Sequence, residues 1–109
     1  MHADHATFLA ALETKHHVTV TFFHTKEGRE RVVTCAPLDF GPLRGAHDTQ
    51  PRYQLWRVDA KRPPFNVTIL PSELRSVVAL DTTFDPANIV RWAFKPNAWS
   101  HARDWGAFS

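Results

Sequence analysis

The sequence predicts a mainly β fold: a five-stranded antiparallel β-barrel with short helices, an N-terminal helix and an aromatic-rich C-terminal extension. Three observations carry this expectation. Apolar residues alternate with period two over several separate segments. Polar turns and clusters of Gly and Pro stand between those segments. The 109 residues, 43% of them hydrophobic, suffice for one domain spanning 1–109 with a core of its own, which excludes wholesale disorder.

Residues 4–15 read as a short helix that Asp4 can cap, with Phe8, Leu9 and Leu12 on one face. From His17 the period changes to two. Val18, Val20 and Phe22 alternate with Thr19, Thr21 and Phe23, a run dense in β-branched residues. Lys26-Glu27-Gly28-Arg29 is a polar turn whose glycine is free to take positive φ. Glu30 to about Leu38 is the return strand of that hairpin. Residues 39–51 hold two Gly and two Pro without periodicity and are expected as a loop. Arg52–Asp59 reads as a third strand, with Tyr53, Leu55 and Arg57 opposing Arg52, Gln54, Trp56 and Val58. Lys61-Arg62-Pro63-Pro64 is a turn, and Phe65–Leu70 a fourth strand. Pro71-Ser72-Glu73-Leu74 is expected as one helical turn, Ser76–Leu80 as a fifth strand. Asp85 caps a last short helix with Pro86 at its first position.

Five short strands with a one-turn break suit a small, strongly bent barrel of the Src-homology-3-like or Sm-like kind over residues 17–80, because partial closure hides sheet edges. Residues 8–80 resemble the WYL domain, an Sm-like barrel. The resemblance is carried by Leu9-Ala10-Ala11-Leu12-Glu13, Val18-Thr19-Val20-Thr21-Phe22 and Gly28-Arg29-Glu30-Arg31-Val32-Val33. Ala36-Pro37-Leu38-Asp39-Phe40 and Leu74-Arg75-Ser76-Val77-Val78-Ala79-Leu80 extend it. Arg52-Tyr53-Gln54-Leu55 stands where the family has its Trp-Tyr-Leu strand, with Arg52 in place of the Trp. Asn66 and Glu73 stand where the family's basic ligand contacts lie, so the resemblance implies a fold and a ligand-sensing ancestry but carries no site over.

Charge and chemistry narrow the function. A net charge of +2 is too small to imply a polyanion partner by itself. The lone Cys35 excludes an internal disulfide framework and a Cys-based zinc site within one chain, and a reduced, cytoplasmic setting is expected. The N-terminus lacks the pattern of a signal peptide, and no apolar run is long enough to span a bilayer, so no membrane partner is expected. His17 and His24 fall on opposite faces of one strand, and no metal or other cofactor is expected. Cys35 reads as a small buried hydrophobe. No phosphate loop, HExxH or GxSxG run occurs, so no catalytic residue is assigned and an enzyme is not expected.

The candidate binding surface is the third strand and the turn after it: Arg52, Trp56, Arg57 and Arg62, with Tyr53 supporting the strand. An indole beside guanidinium groups can stack on a base while the cations hold a phosphate, so a nucleotide or single-stranded nucleic acid is the expected ligand. The alternative is that the aromatic tail covers Trp56. That tail, residues 81–109, carries Trp92, Phe94, Trp99, Trp105 and Phe108, too aromatic for a disordered end. It packs either on its own barrel or on a second subunit. The second case makes Trp92, Trp99, Arg103 and Trp105 the interface of a homodimer through residues 91–109, and the chain a protein-interaction or self-assembly module.

Overall fold

A computed structural model describes residues 3–43, 48–92, 95 and 98–109. His2, Phe94 and residues 44–47 of the expected loop lie outside the described residues. Helix α1 (His5–Thr14) precedes strands β1 (His16–His24), β2 (Arg29–Pro42), β3 (Pro51–Arg57), β4 (Asn66–Ile69) and β5 (Leu74–Thr83). A short helix α2 (Pro86–Ile89) and a 3₁₀ turn at Gly106–Phe108 follow. The strands form one antiparallel sheet in the order β4-β3-β2-β1-β5. The architecture is therefore mainly β, and β4 and β5 are open edges that do not pair with each other among the described residues. No helix among the described residues is long and apolar enough to cross a membrane.

Alternation builds the sheet's inner face. Val18, Val20 and Phe22 of β1 are buried, and β2 returns opposite them with Val33 and Cys35. Gly28 sits in the hairpin turn at φ 66°, the left-handed region that a side chain would strain. Helix α1 lays Phe8, Ala11 and Leu12 on this face. The Phe8 ring meets Tyr53 edge-on at 4.9 Å, and His5 Nδ1 shares a 2.9 Å hydrogen bond with the Tyr53 hydroxyl. Asp4 does not cap α1 with its side chain as the sequence suggests. Its Oδ2 accepts the Val77 N–H at 2.8 Å instead. Val77 is buried on the β5 edge, where an amide without a partner is costly, so the carboxylate serves the strand.

Two strands run further than alternation indicates. β2 continues through Asp39-Phe40-Gly41-Pro42, the start of the expected loop. Its first half pairs β1 as far as Cys35, and its second half pairs β3 from Cys35 to Pro42, with a register shift between Pro37 and Asp39. Val58 N–H donates to Thr34 O, which puts the β3-facing bonds of β2 on even residues before the shift. Pro37 therefore turns its missing N–H toward the side where β1 pairing has already ended, and no ladder bond is lost. β5 spans Leu74–Thr83 rather than the expected 76–80: buried Leu74 starts the strand instead of closing the turn, and Asp81–Thr83 are exposed and leave no apolar alternation to read.

The tail from Ala98 to Ser109 lies against this sheet and helix α1. Trp105 is only 3% exposed, and its Nε1–H donates to Leu12 O at 2.9 Å. Its ring packs edge-on against Phe84 at 5.4 Å and Trp99 at 5.6 Å. The Arg103 side chain has no exposed surface and lies between two indoles, 4.2 Å from the Trp99 ring centre and 4.4 Å from that of Trp105. Its Nη2 donates to Asp39 Oδ1 at 3.0 Å and its Nη1 to Leu38 O, the carbonyl at the β2 register shift. Asp39 also accepts the N–H groups of Ser100 and His101, each at 2.9 Å. A Cβ at Gly41 would collide with the Ser100 side chain, so the glycine admits the strap. Trp99, Arg103 and Trp105, the residues considered for a dimer interface, thus serve this chain's own packing.

Removing one partner of a buried ion pair costs about 3–5 kcal/mol. Arg103→Ala is expected to lower unfolding stability by that amount, and Trp105→Ala by about 3–5 kcal/mol through cavity formation. Urea unfolding followed by tryptophan emission and circular dichroism measures both. Losses below about 0.5 kcal/mol, the size of an ordinary surface substitution, would show that the strap is not integral to the fold.

Candidate functional site

Strand β3 sorts its side chains by parity. Tyr53 and Leu55 are buried at 1% exposure, whereas Arg52, Gln54 and Trp56 point to the other face and are half-buried. The chain then turns through residues 58–65 and returns as β4, which brings the Phe65 ring to 5.3 Å from Trp56 at 31°. A third segment closes the site from the far end of the sequence. Asp85 Oδ1 accepts the Ala87 N–H at 3.0 Å and caps α2, with Pro86 at its first position as the sequence indicates. Buried Ile89 and Val90 anchor this turn, so Arg91 and Trp92 emerge beside β3. The Trp92 ring lies 6.0 Å from Trp56 at 39° and stays 45% exposed.

Between these segments runs a cleft of about 650 Å³. Trp56, Arg57 and Phe65 line one side, and His17, Asp85 and Arg91 are among the residues of the other. Arg57 Nε donates to Asp59 Oδ1 at 3.0 Å, and Asp59 Oδ2 accepts the Thr34 N–H at 3.0 Å. Burial alone would raise the Asp59 carboxyl, but the Thr34 amide and the Arg57 guanidinium outweigh it and hold it below the usual carboxylate value. Arg57 is thereby largely neutralised. Arg91 is exposed, and its Nε donates to Asn88 O at 3.1 Å. His17 Nδ1 shares a 2.8 Å hydrogen bond with Thr82 Oγ1. Burial lowers the His17 pKa from 6.5, the hydrogen bond at Thr82 opposes this, and neighbouring His16 adds to it.

Of the residues the sequence singles out, the structure brings Trp56 and Arg57 to the cleft. Arg52 points elsewhere and forms a two-pronged pair with exposed Asp48, at 3.1 and 3.2 Å. That hydrogen bonding holds the Asp48 carboxyl below its ordinary value. Tyr53 is buried against α1 and supports the strand. Arg62 is exposed in the turn between β3 and β4 and does not line the cleft. Sequence reasoning missed Phe65, Arg91 and His17 as wall residues. The Asp85-Pro86 cap located α2, but nothing in the spacing showed that α2 folds back beside β3. Cys35 is fully buried, and burial, with Asp59 adding to it, pushes its thiol up to about 12. No three metal-ligating side chains converge among the described residues.

Comparison of the chain with protein-family models, with curated proteins and with solved structures finds no match.

His17 and His5 yield a pH prediction. Burial is the largest cause of a lowered pKa at both, and at His5 the charges of His101 and the N-terminus add to it. Below 6.5 the unfolded chain binds protons at these sites more readily than the folded one, so stability falls as the pH drops through 6.5. The urea midpoint is expected to be lower at about pH 5.5 than at about pH 7.5. The double variant His5→Gln/His17→Gln should lose most of that difference, and an unchanged difference in it would refute the assignment.

Proposed function

We propose that this chain is a non-enzymatic ligand-binding module whose cleft beside Trp56 takes a nucleotide or a short single-stranded nucleic acid. The observation that carries the reading is the cleft lined by Phe65, Trp56, Arg57 and Arg91, with the Trp92 ring beside Trp56 and next in the chain to Arg91. The volume falls within the range of about 300–1,000 Å³ usual for small-molecule sites. Trp56 is packed on both neighbours, so the exposed face of Trp92 is the surface on which a base would stack. Arg91 is the stronger phosphate ligand of the two cations, because Arg57 is already paired with Asp59. The Asp85 carboxylate on the opposite wall would accept an exocyclic amine of the base.

The Sm-like barrel and the WYL-like ancestry belong to the same proposal. Two features support them. β2 is long and changes partner part-way, which curls the sheet. A single turn between Leu70 and Glu73 joins the two edge strands, with Glu73 N–H donating to Leu70 O at 2.9 Å. A cytoplasmic setting is supported by the single buried cysteine.

Fluorescence titration with an oligothymidylate and with a nucleoside monophosphate at two salt concentrations tests the cleft. Tryptophan emission should be quenched, more tightly at low salt because phosphate contacts release counterions. Stacking on an aromatic ring contributes about 1–3 kcal/mol per base, so Trp92→Ala should weaken binding about five- to a hundredfold. Arg91→Ala should flatten the salt dependence of oligonucleotide binding by roughly one phosphate contact. Absence of quenching at low salt with either probe would reject the nucleotide reading.

A further inference from the structure

The two edges of the sheet are treated differently. On β5, the Val77 N–H is taken by Asp4 Oδ2, and α1 packs alongside. On β4, the Arg57 N–H donates to Phe65 O, so residues 65, 67 and 69 turn their backbone groups to β3. Asn66, Thr68 and Leu70 therefore turn theirs outward. The Leu70 N–H is capped by Glu73 Oε1 at 3.0 Å. The outward N–H and C=O groups of Asn66 and Thr68 have no partner among the described residues. β4 itself carries no lysine, proline or bulge of the kind that usually blunts such an edge.

Beside that edge lies a groove of about 550 Å³, distinct from the Trp56 cleft although Arg57 reaches both. Its far wall is the end of β1 and the hairpin turn, with Phe23 and Lys26, and its floor includes Val67 and Leu70. Lys26 and Arg31 face it against a single carboxylate, Glu73, while Arg57 reaches it already paired with Asp59. The Glu73 carboxylate is already occupied by the Thr25 hydroxyl and the Leu70 N–H. Beyond the groove, Glu27 is spread over His24, Arg29 and Arg31, so the hairpin tip keeps an excess of positive charge.

We propose that the outward backbone of Asn66 and Thr68, beside the Lys26 and Arg31 wall, is a docking edge for an extended acidic peptide of another protein, which adds as a sixth strand. Four residues of strand span about 13 Å, so the edge reads a short segment. Main-chain bonds supply the affinity. Alternate side chains would meet the apolar floor of Val67 and Leu70 on one side and the cationic hairpin on the other. The site does not depend on the nucleotide reading of the Trp56 cleft.

The test uses the full chain and a fluorescein-labelled peptide of alternating Glu and Val, with anisotropy and amide hydrogen exchange as readouts. Binding should slow exchange at Asn66 and Thr68 and leave Val77 unchanged. N-methylation of alternate peptide amides should abolish binding in one register and spare it in the other. Lys26→Glu/Arg31→Glu should weaken binding at least about tenfold by reversing the charge facing the acidic side chains. Lys26 is exposed and Arg31 half-buried, so circular dichroism checks folding of the double variant and Lys26→Glu alone should weaken binding in the same direction. Four results would each overturn the proposal: no binding of the acidic peptide, equal binding of a Lys/Val peptide, indifference to N-methylation, or self-association of the chain through this edge. Competition by an oligonucleotide that protects Asn66 and Thr68 equally well would also overturn it, in favour of a polyanion.

Discussion

The ion pair between Asp39 and Arg103 is the contact on which the arrangement depends. Burying a carboxylate and a guanidinium costs several kcal/mol per ion unless their remaining bonds are made. Here they are. Asp39 accepts from Phe40, Ser100, His101 and Arg103, and Arg103 donates to Leu38, His101 and Asp39 while its plane rests between two indoles. Burial lowers the Arg103 pKa to about 10 and Asp39 counters it, so the cation stays charged at neutral pH. The pair sits at the register shift of the β2–β3 ladder, between Pro37 and Asp39, where the ladder alone would leave the Leu38 carbonyl bare.

Holding the strap there also shapes the cleft. Trp105 connects α1, through the Leu12 carbonyl, to Phe84 at the exit of β5. Phe84 is directly followed by the Asp85 cap that starts α2, and α2 directs Arg91 and Trp92 toward Trp56. One wall of the cleft therefore inherits its position from packing on the opposite side of the sheet. The chemistry near Trp56 and the stability of the strap are parts of one network of rings.

The hairpin was legible because a half-buried strand writes its burial into every second residue, as Val18, Val20 and Phe22 do. The extension of β2 was not, because Gly41 and Pro42 are loop residues by local preference. They are tolerated where a strand has a neighbour on one side only. Trp56 and Arg57 were legible from composition alone. Arg91 was not, since it reaches the cleft from a segment more than thirty positions beyond Trp56, and Phe65 was not, since the β3–β4 turn that folds it back onto Trp56 has no periodicity to read. The partner of Arg103 was not legible either. Arg103 bonds an aspartate 64 residues away, in what the sequence presented as a loop.

Translation delivers the strap after the five strands. Every strand of the sheet has been made before Trp99 is added, while the Leu12 carbonyl waits for an indole 93 positions downstream. At about 5–20 residues per second, that interval lasts roughly 5 to 20 s. Until Arg103 is added, the Leu38 carbonyl and the Asp39 carboxylate lack the partners that the strap supplies. The growing chain thus passes through a stage at which chaperone capture and aggregation compete with folding, and the arrival of Arg103 ends it.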